Sequence, residues 1–162
     1  MLATRWVERN PFLQASSRRE PGPSSPSTPR VGRRAARVLV VEDSNGERRL
    51  LSRVFSRAGY EVVEAADGNR AWTLLQGDSF DVMVSDVEMP GMDGFELLRR
   101  VRASDLISDL LVVLNTSLER SRLDTAALAG ADAYVTKHGS RAMQSLLREV
   151  EQLTAREEGR RC

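Results

Sequence analysis

Four apolar segments of this chain end in side chains that could share one piece of chemistry. Val38-Leu39-Val40-Val41 runs into Glu42 and Asp43, and Val82-Met83-Val84 leads through Ser85 to Asp86. Leu110-Leu111-Val112-Val113-Leu114 leads to Asn115-Thr116, and Ala133-Tyr134-Val135-Thr136 leads to Lys137. If these segments are parallel strands, their polar ends lie on one rim of a sheet. Three carboxyl groups crowded there repel one another, so something must compensate: a raised carboxyl pKa, a nearby cation or a bound metal. Oxygen ligands without cysteine or clustered histidine favour a hard divalent ion, with Mg²⁺ the usual occupant, and such an ion keeps open positions for phosphate oxygens. The chain has 23 Arg and a single Lys, and that Lys is Lys137. A compact ammonium is thus kept at one place on the rim, where a planar guanidinium would fit differently.

The elements that must position these groups follow from hydrophobic patterning. The run 38–41 is apolar without alternation, as in a strand buried on both faces. Ser44 or Asp43 can cap a following helix with Leu50, Leu51, Val54, Phe55 and Ala58 on one stripe, closed by Gly59. Val62-Val63, between Glu61 and Glu64, is a brief strand nearer an edge. Asp67-Gly68 opens a short helix carrying Ala71, Trp72, Leu74 and Leu75, and the strand from Phe80 to Asp86 follows. Pro90-Gly91 and Asp93-Gly94 are turn signals before a helix near 94–103 bearing Phe95, Leu97, Leu98 and Val101. A fourth helix is expected over 119–129, stopped by Gly130, and a fifth with Met143, Leu146, Leu147, Val150 and Leu153. Five strands alternating with five helices make an α/β repeat with a parallel sheet and helices on both faces.

Composition divides the chain unevenly. Residues 1–36 hold seven Arg against Glu8 and Glu20, together with five of the six prolines and five serines. That composition buries little apolar surface and predicts a disordered Arg/Pro/Ser-rich extension, with an organellar transit peptide or an arm binding nucleic acid or an acidic partner as alternatives. Residues 37–156 are the expected folded domain and 157–162 a charged tail. The lone cysteine, Cys162, excludes an internal disulfide and a Cys-rich metal site, which suits a reducing, cytoplasmic setting. No stretch approaches a membrane-spanning length. No glycine-rich phosphate loop follows the first strand, which argues against a dinucleotide binder.

Taken in order, Val-Leu-Val-Val-Glu-Asp-Ser, Asp-Val-Glu-Met-Pro-Gly-Met-Asp-Gly-Phe-Glu-Leu-Leu, Thr-Ser, and Gly-Ala-Asp-Ala-Tyr-Val-Thr-Lys resemble the receiver domain of two-component response regulators. The resemblance covers residues 37–156. It implies a flavodoxin-like (CheY-like) doubly wound sheet of order 2-1-3-4-5, with the first and third strands adjacent at the topological switch point. It further implies that Asp86 accepts a phosphoryl group from a histidine kinase or phosphotransfer protein. Asp43, Asp86 and the backbone carbonyl of Glu88 would ligate Mg²⁺, with Glu42 acting through a metal-bound water. Thr116 and Lys137 would contact phosphoryl oxygens, and Tyr134 would be the aromatic that turns as Thr116 moves. The face made by the fourth helix, the fifth strand and the last helix would then change its preference for a downstream protein.

Several expectations attach to departures from that pattern. His138 stands where the family usually has proline after the lysine; a cis bond to a non-proline residue costs ~3–4 kcal/mol, and the fold is expected to retain it, the alternative being a trans bond with Lys137 slightly moved. Glu88 places an acidic side chain two residues past Asp86 and is expected to influence the lifetime of an acyl phosphate. Only 25 residues follow Lys137, so no C-terminal DNA-binding domain is expected, and the output would be a protein contact. The non-proline residue after Lys137 and the segment Leu-Asn-Thr-Ser-Leu-Glu also resemble chemotaxis coupling-protein receivers of the CheV type. The expected chemistry is confined to the chain's own carboxylate rather than enzymatic turnover. Two other functions compete: a pseudo-receiver that no longer takes a phosphoryl group, and a Mg²⁺-dependent phosphatase forming an aspartyl phosphate.

Overall fold

The computed structural model describes residues 34–118 and 130–161. Residues 1–33, the expected helix over 119–129 and Cys162 lie outside them. Within the described residues the elements run β1 (Arg37–Val41), α1 (Asn45–Arg57), β2 (Glu61–Ala65), α2 (Gly68–Gly77), β3 (Val82–Ser85), α3 (Gly94–Arg102), β4 (Leu111–Thr116), β5 (Ala133–Thr136) and α4 (Ala142–Arg161). All strand pairings are parallel and the order is β2-β1-β3-β4-β5, so β1 and β3 are neighbours and the chain reverses its direction of travel there. Among the described residues no helix is long and apolar enough to cross a membrane.

Side-chain alternation explains why the strands read as continuous apolar runs. In β1, Leu39 and Val41 point to one face, where α2 and α3 supply Ala71, Leu75, Leu97, Leu98 and Val101. Val38 and Val40 point to the other, where α1 and α4 supply Leu51, Phe55, Leu146 and Val150. Each strand face is covered, so an inner strand gains nothing from a polar alternate position. At the sheet edge β2 keeps Glu61 and Glu64 exposed, in agreement with its predicted place.

Three departures from the sequence reading have simple geometric causes. On α1 only Leu51 and Phe55 are fully buried, while Leu50 is 51% exposed and Ala58 is exposed. Residues one turn apart aim at the sheet, and Leu50 falls beside a recess between α1 and α4. β4 continues through Asn115 and Thr116, because Thr116 pairs with Thr136 of β5. Residues 157–161, expected as a tail, are the last turns of α4.

Caps and clamps set where the loops leave the sheet. Asp67 Oδ1 accepts the Arg70 amide at 2.7 Å and Asp93 Oδ1 accepts the Glu96 amide at 2.7 Å, each capping the helix it precedes. Gly94, the first residue of α3, packs directly under the loop that carries Asp86: a Cβ there would lie 2.1 Å from the Asp86 carbonyl oxygen and 2.9 Å from Val87 Cα. Backbone on backbone cannot give way cheaply. Gly94→Ala should therefore lower stability by about 1–3 kcal/mol or more, the usual range for overpacking. Urea denaturation of the two chains checks it, and an unchanged midpoint would show that the loop accommodates the methyl.

Candidate functional site

Main-chain bonds bring the strand ends to one rim. The Asp86 amide donates to the Val41 carbonyl at 2.9 Å, and the Lys137 amide donates to the Thr116 carbonyl at 2.9 Å. Since Val41 pairs with Ser85, and Ser85 with Leu114, the residues that follow them emerge side by side. Glu42, Asp43 and Asp86 each bring a carboxylate oxygen to a point where all three atoms lie within 4.8 Å of one another. Such an all-oxygen set fits a hard divalent cation.

Asp86 is 6% exposed and its two oxygens have different surroundings. Oδ1 accepts the amides of Val87 at 2.6 Å and Glu88 at 3.2 Å, while Oδ2 accepts the Lys137 ammonium at 2.8 Å. Glu42 is 1% exposed, with Oε1 on the Ser44 amide at 3.2 Å and Oε2 on Lys137 Nζ at 2.7 Å. Burial raises the Glu42 pKa above the usual carboxylate range, and Asp86 adds to the rise, while the bond from Lys137 opposes it. For Lys137, burial alone would favour the neutral amine. Its bonds to Asp86, Glu42 and Glu47 outweigh that and hold its pKa above the ordinary lysine value. The ammonium is the counter-charge that lets the acidic cluster exist.

The remaining predicted residues sit around this centre. Asp43 is exposed at the mouth, and its carbonyl, with that of Glu42, faces the Arg48 guanidinium. Thr116 is fully buried, and its Oγ1 accepts the Leu118 amide at 3.2 Å. The Tyr134 hydroxyl donates to the Leu118 carbonyl. Both residues expected to switch therefore grip the same main-chain unit, immediately before residues 119–129. The Glu88 side chain is exposed, and its Oε2 accepts the Ser117 hydroxyl at 3.1 Å, bridging the loops after β3 and β4.

One expectation needs revision. The described residues contain no cis peptide bond, so Lys137–His138 is trans. A secondary amide strongly favours trans, and the Lys137 side chain still reaches Asp86. His138 is exposed beside Gly139, whose φ of +95° is open to glycine without strain. Glu47 was not singled out from sequence. It reaches Lys137 Nζ at 2.6 Å from the first turn of α1, a contact between residues ninety positions apart that local spacing does not disclose.

A doubly wound parallel sheet with an acidic cluster and a lysine at the carboxyl ends of its strands defines the class of this protein. Residues 38–150 match the response regulator receiver domain family, and the chain belongs to that family. It is 37% identical to the chemotaxis protein CheY of Pseudomonas aeruginosa over 103 residues, covering 62% of this chain and 83% of that protein. It is 33% identical to a gliding motility regulatory protein of Myxococcus xanthus over 149 residues, 89% of this chain but only 18% of that protein. The response regulator TrrA of Thermotoga maritima, solved with Mg²⁺ and BeF, superposes with a TM-score of 0.66 at 30% identity, covering 73% of this chain and 98% of TrrA. TrrA solved in complex with the histidine kinase ThkA superposes with a TM-score of 0.65 at 31% identity, covering 73% of this chain and 97% of that one. The chain is thus a CheY-like receiver domain of the two-component system class.

Proposed function

We propose that this receiver takes a phosphoryl group on Asp86 Oδ2 from a phosphohistidine donor and releases it by hydrolysis. The observation that carries the reading is the Lys137 ammonium 2.8 Å from that oxygen, beside the carboxylate cluster. Two main-chain amides fix Asp86 through Oδ1 and leave Oδ2 as the nucleophile. As Oδ2 bonds to phosphorus, the phosphorus–nitrogen bond of the donor breaks and the histidine nitrogen takes up a proton. Charge spreading over the phosphoryl oxygens is met by Lys137, with the hydroxyl of Thr116 brought in from Leu118. Asp43, Asp86 and the Glu88 carbonyl would hold Mg²⁺, with Glu42 in support; when bound, the ion neutralises charge between the carboxylates and the phosphoryl group. The TrrA structure solved with Mg²⁺ and BeF supports Mg²⁺ binding, and the TrrA–ThkA complex supports a histidine kinase as donor.

Release of Leu118 by Thr116 would free the Tyr134 hydroxyl's partner, so modification at Asp86 reaches the loop after β4 and, through it, a downstream protein. The chemistry stays on the chain's own carboxylate, in a cytoplasmic setting. The test is incubation of the full chain with acetyl phosphate, with and without Mg²⁺, followed by intact mass and alkaline treatment. A Mg²⁺-dependent, alkali-labile adduct on Asp86 is the expected outcome, and no adduct under any condition would leave a phosphorylation-independent interaction domain. Steady turnover of many phosphoesters would instead mark a phosphatase.

The Glu88–Ser117 hydrogen bond ties the loop that carries Asp86 to the loop after β4. Glu88→Asn should shorten the acyl-phosphate lifetime by about two- to tenfold, the scale of one net hydrogen bond. Loss of the adduct followed by mass spectrometry gives the lifetime, and equal lifetimes would show that this bond does not influence it.

A further inference from the structure

We infer that Arg48 is a positioning residue for the divalent cation: its guanidinium holds the turn that brings the Glu42 and Asp43 carboxylates to one point. This rests on the reading of that cluster as a Mg²⁺ site. Successive side chains of an extended strand point to opposite faces. β1 ends at Val41, and the Glu42 amide still continues its ladder, donating to the Ala65 carbonyl of β2 at 3.1 Å. On that course the Glu42 and Asp43 side chains would face apart. Their carboxylate oxygens nevertheless lie within 4.8 Å of each other and of an Asp86 oxygen. The alternation is therefore broken between the two residues, and a contact must hold the break. Asp43 is exposed, and among the described residues nothing hydrogen-bonds its carboxylate, so its main chain sets where it points.

Arg48, in α1, grips that main chain. Its Nη1 donates to the Glu42 carbonyl at 2.7 Å and to the Asp43 carbonyl at 3.4 Å. The guanidinium is itself fixed on its other sides: Nη2 donates to Asn45 Oδ1 at 3.1 Å, and Nε faces Glu64 Oε2 on β2 at 3.3 Å. With its side chain 15% exposed, Arg48 lacks the freedom of a surface arginine. A planar fork with donors on several sides can serve two adjacent carbonyls and two flanking oxygens at once, which the single nitrogen of a lysine matches poorly. The arrangement also puts a positive charge beside a cation site, and Glu64 offsets part of it. Position and charge thus act on cation binding in opposite directions, so an experiment can separate them.

The experiment titrates Mg²⁺ into the full-length wild type, Arg48→Lys and Arg48→Met by isothermal calorimetry at constant ionic strength, with no phosphodonor present. Acting through position, Arg48 should leave both variants binding Mg²⁺ about three- to tenfold more weakly, the scale of one net hydrogen bond. Acting only through charge, it would leave Arg48→Lys equal to wild type and Arg48→Met binding more tightly, and either result overturns the inference. Uptake from acetyl phosphate gives a second reading. The half-saturating Mg²⁺ concentration should rise by the same factor, while the rate at saturating Mg²⁺ stays within about twofold of wild type. A fall in the saturated rate as large as the fall in affinity marks a general disturbance of the site and also overturns the inference. Arg48→Lys, which retains the charge, carries the test should Arg48→Met fail to fold. No Mg²⁺ binding by the wild type overturns the metal reading itself, and the role of Arg48 with it.

Discussion

Asp86→Asn should abolish phosphoryl uptake from acetyl phosphate, by at least about a hundredfold, as expected when a nucleophile is removed. The amide is isosteric, and its oxygen can still accept the Val87 and Glu88 amides that hold Oδ1 now. What it lacks is a charged oxygen able to bond to phosphorus. The fold should persist, because Lys137 keeps Glu42 and Glu47 as partners and the cluster loses one of its mutually repelling carboxylates. Intact-mass spectrometry after donor treatment, with a thermal melt of the same sample, separates the two effects. An adduct of wild-type yield on Asp86→Asn would place the chemistry on another side chain, and Asp43 would be the first to test.

Lys137→Met should have the largest effect on stability. It leaves Glu42 and Asp86, 1% and 6% exposed, without their shared counter-charge. Removing one partner of a buried ion pair typically costs about 3–5 kcal/mol. The loss should be greatest at neutral pH in EDTA. Glu42 already has a raised pKa from burial, and without the ammonium the opposing contribution is gone, so its value rises further. A carboxyl whose folded-state pKa lies above its unfolded value contributes stability below the unfolded value and loses it as pH rises through the folded one. The deficit should therefore shrink as pH falls from neutral toward the ordinary carboxyl range. Mg²⁺ should restore part of it, because a cation bound only by the folded state stabilises by mass action. Urea midpoints at pH 7 and pH 5, with EDTA or Mg²⁺, report all three. A variant as stable as wild type at pH 7 in EDTA would show that Lys137 is not the counter-charge of the cluster. Phosphoryl uptake should also fall by about a hundred- to a thousandfold, the usual cost of deleting one preorganised donor to developing charge.

The two substitutions act on opposite sides of one balance. Asp86 sits buried beside two other carboxylates, and Lys137 is the cation that faces it and Glu42. Gly94 belongs to the same balance from below, since the close passage of α3 under the Asp86 carbonyl sets where the loop can run. Arg102 anchors the far end of α3, donating to the carbonyls of Gly130, Ser108 and Leu110 and pairing with Asp132 at 2.8 Å.

Much of this was written in local sequence. The apolar runs at 38–41, 82–84 and 110–114 announced a sheet covered on both faces, because nearly every position in them lacks a solvent side. The helix starts near Asp67 and Asp93 were legible as Asp-Gly turn signals, and the structure shows each aspartate capping the helix it precedes. Glu42, Asp43, Asp86, Thr116 and Lys137 could be assigned to one rim because parallel strands all point the same way. Tertiary structure alone decided how those groups divide their bonds. That Glu47 completes the set around Lys137, that Leu118 is held by both Thr116 and Tyr134, and that Leu50 faces a recess rather than the core depend on contacts between distant elements. The trans bond before His138 was likewise decided in three dimensions. Periodicity tells which face of an element is buried, but the partner of a charged group is set by where separate elements meet, and no single segment encodes that meeting.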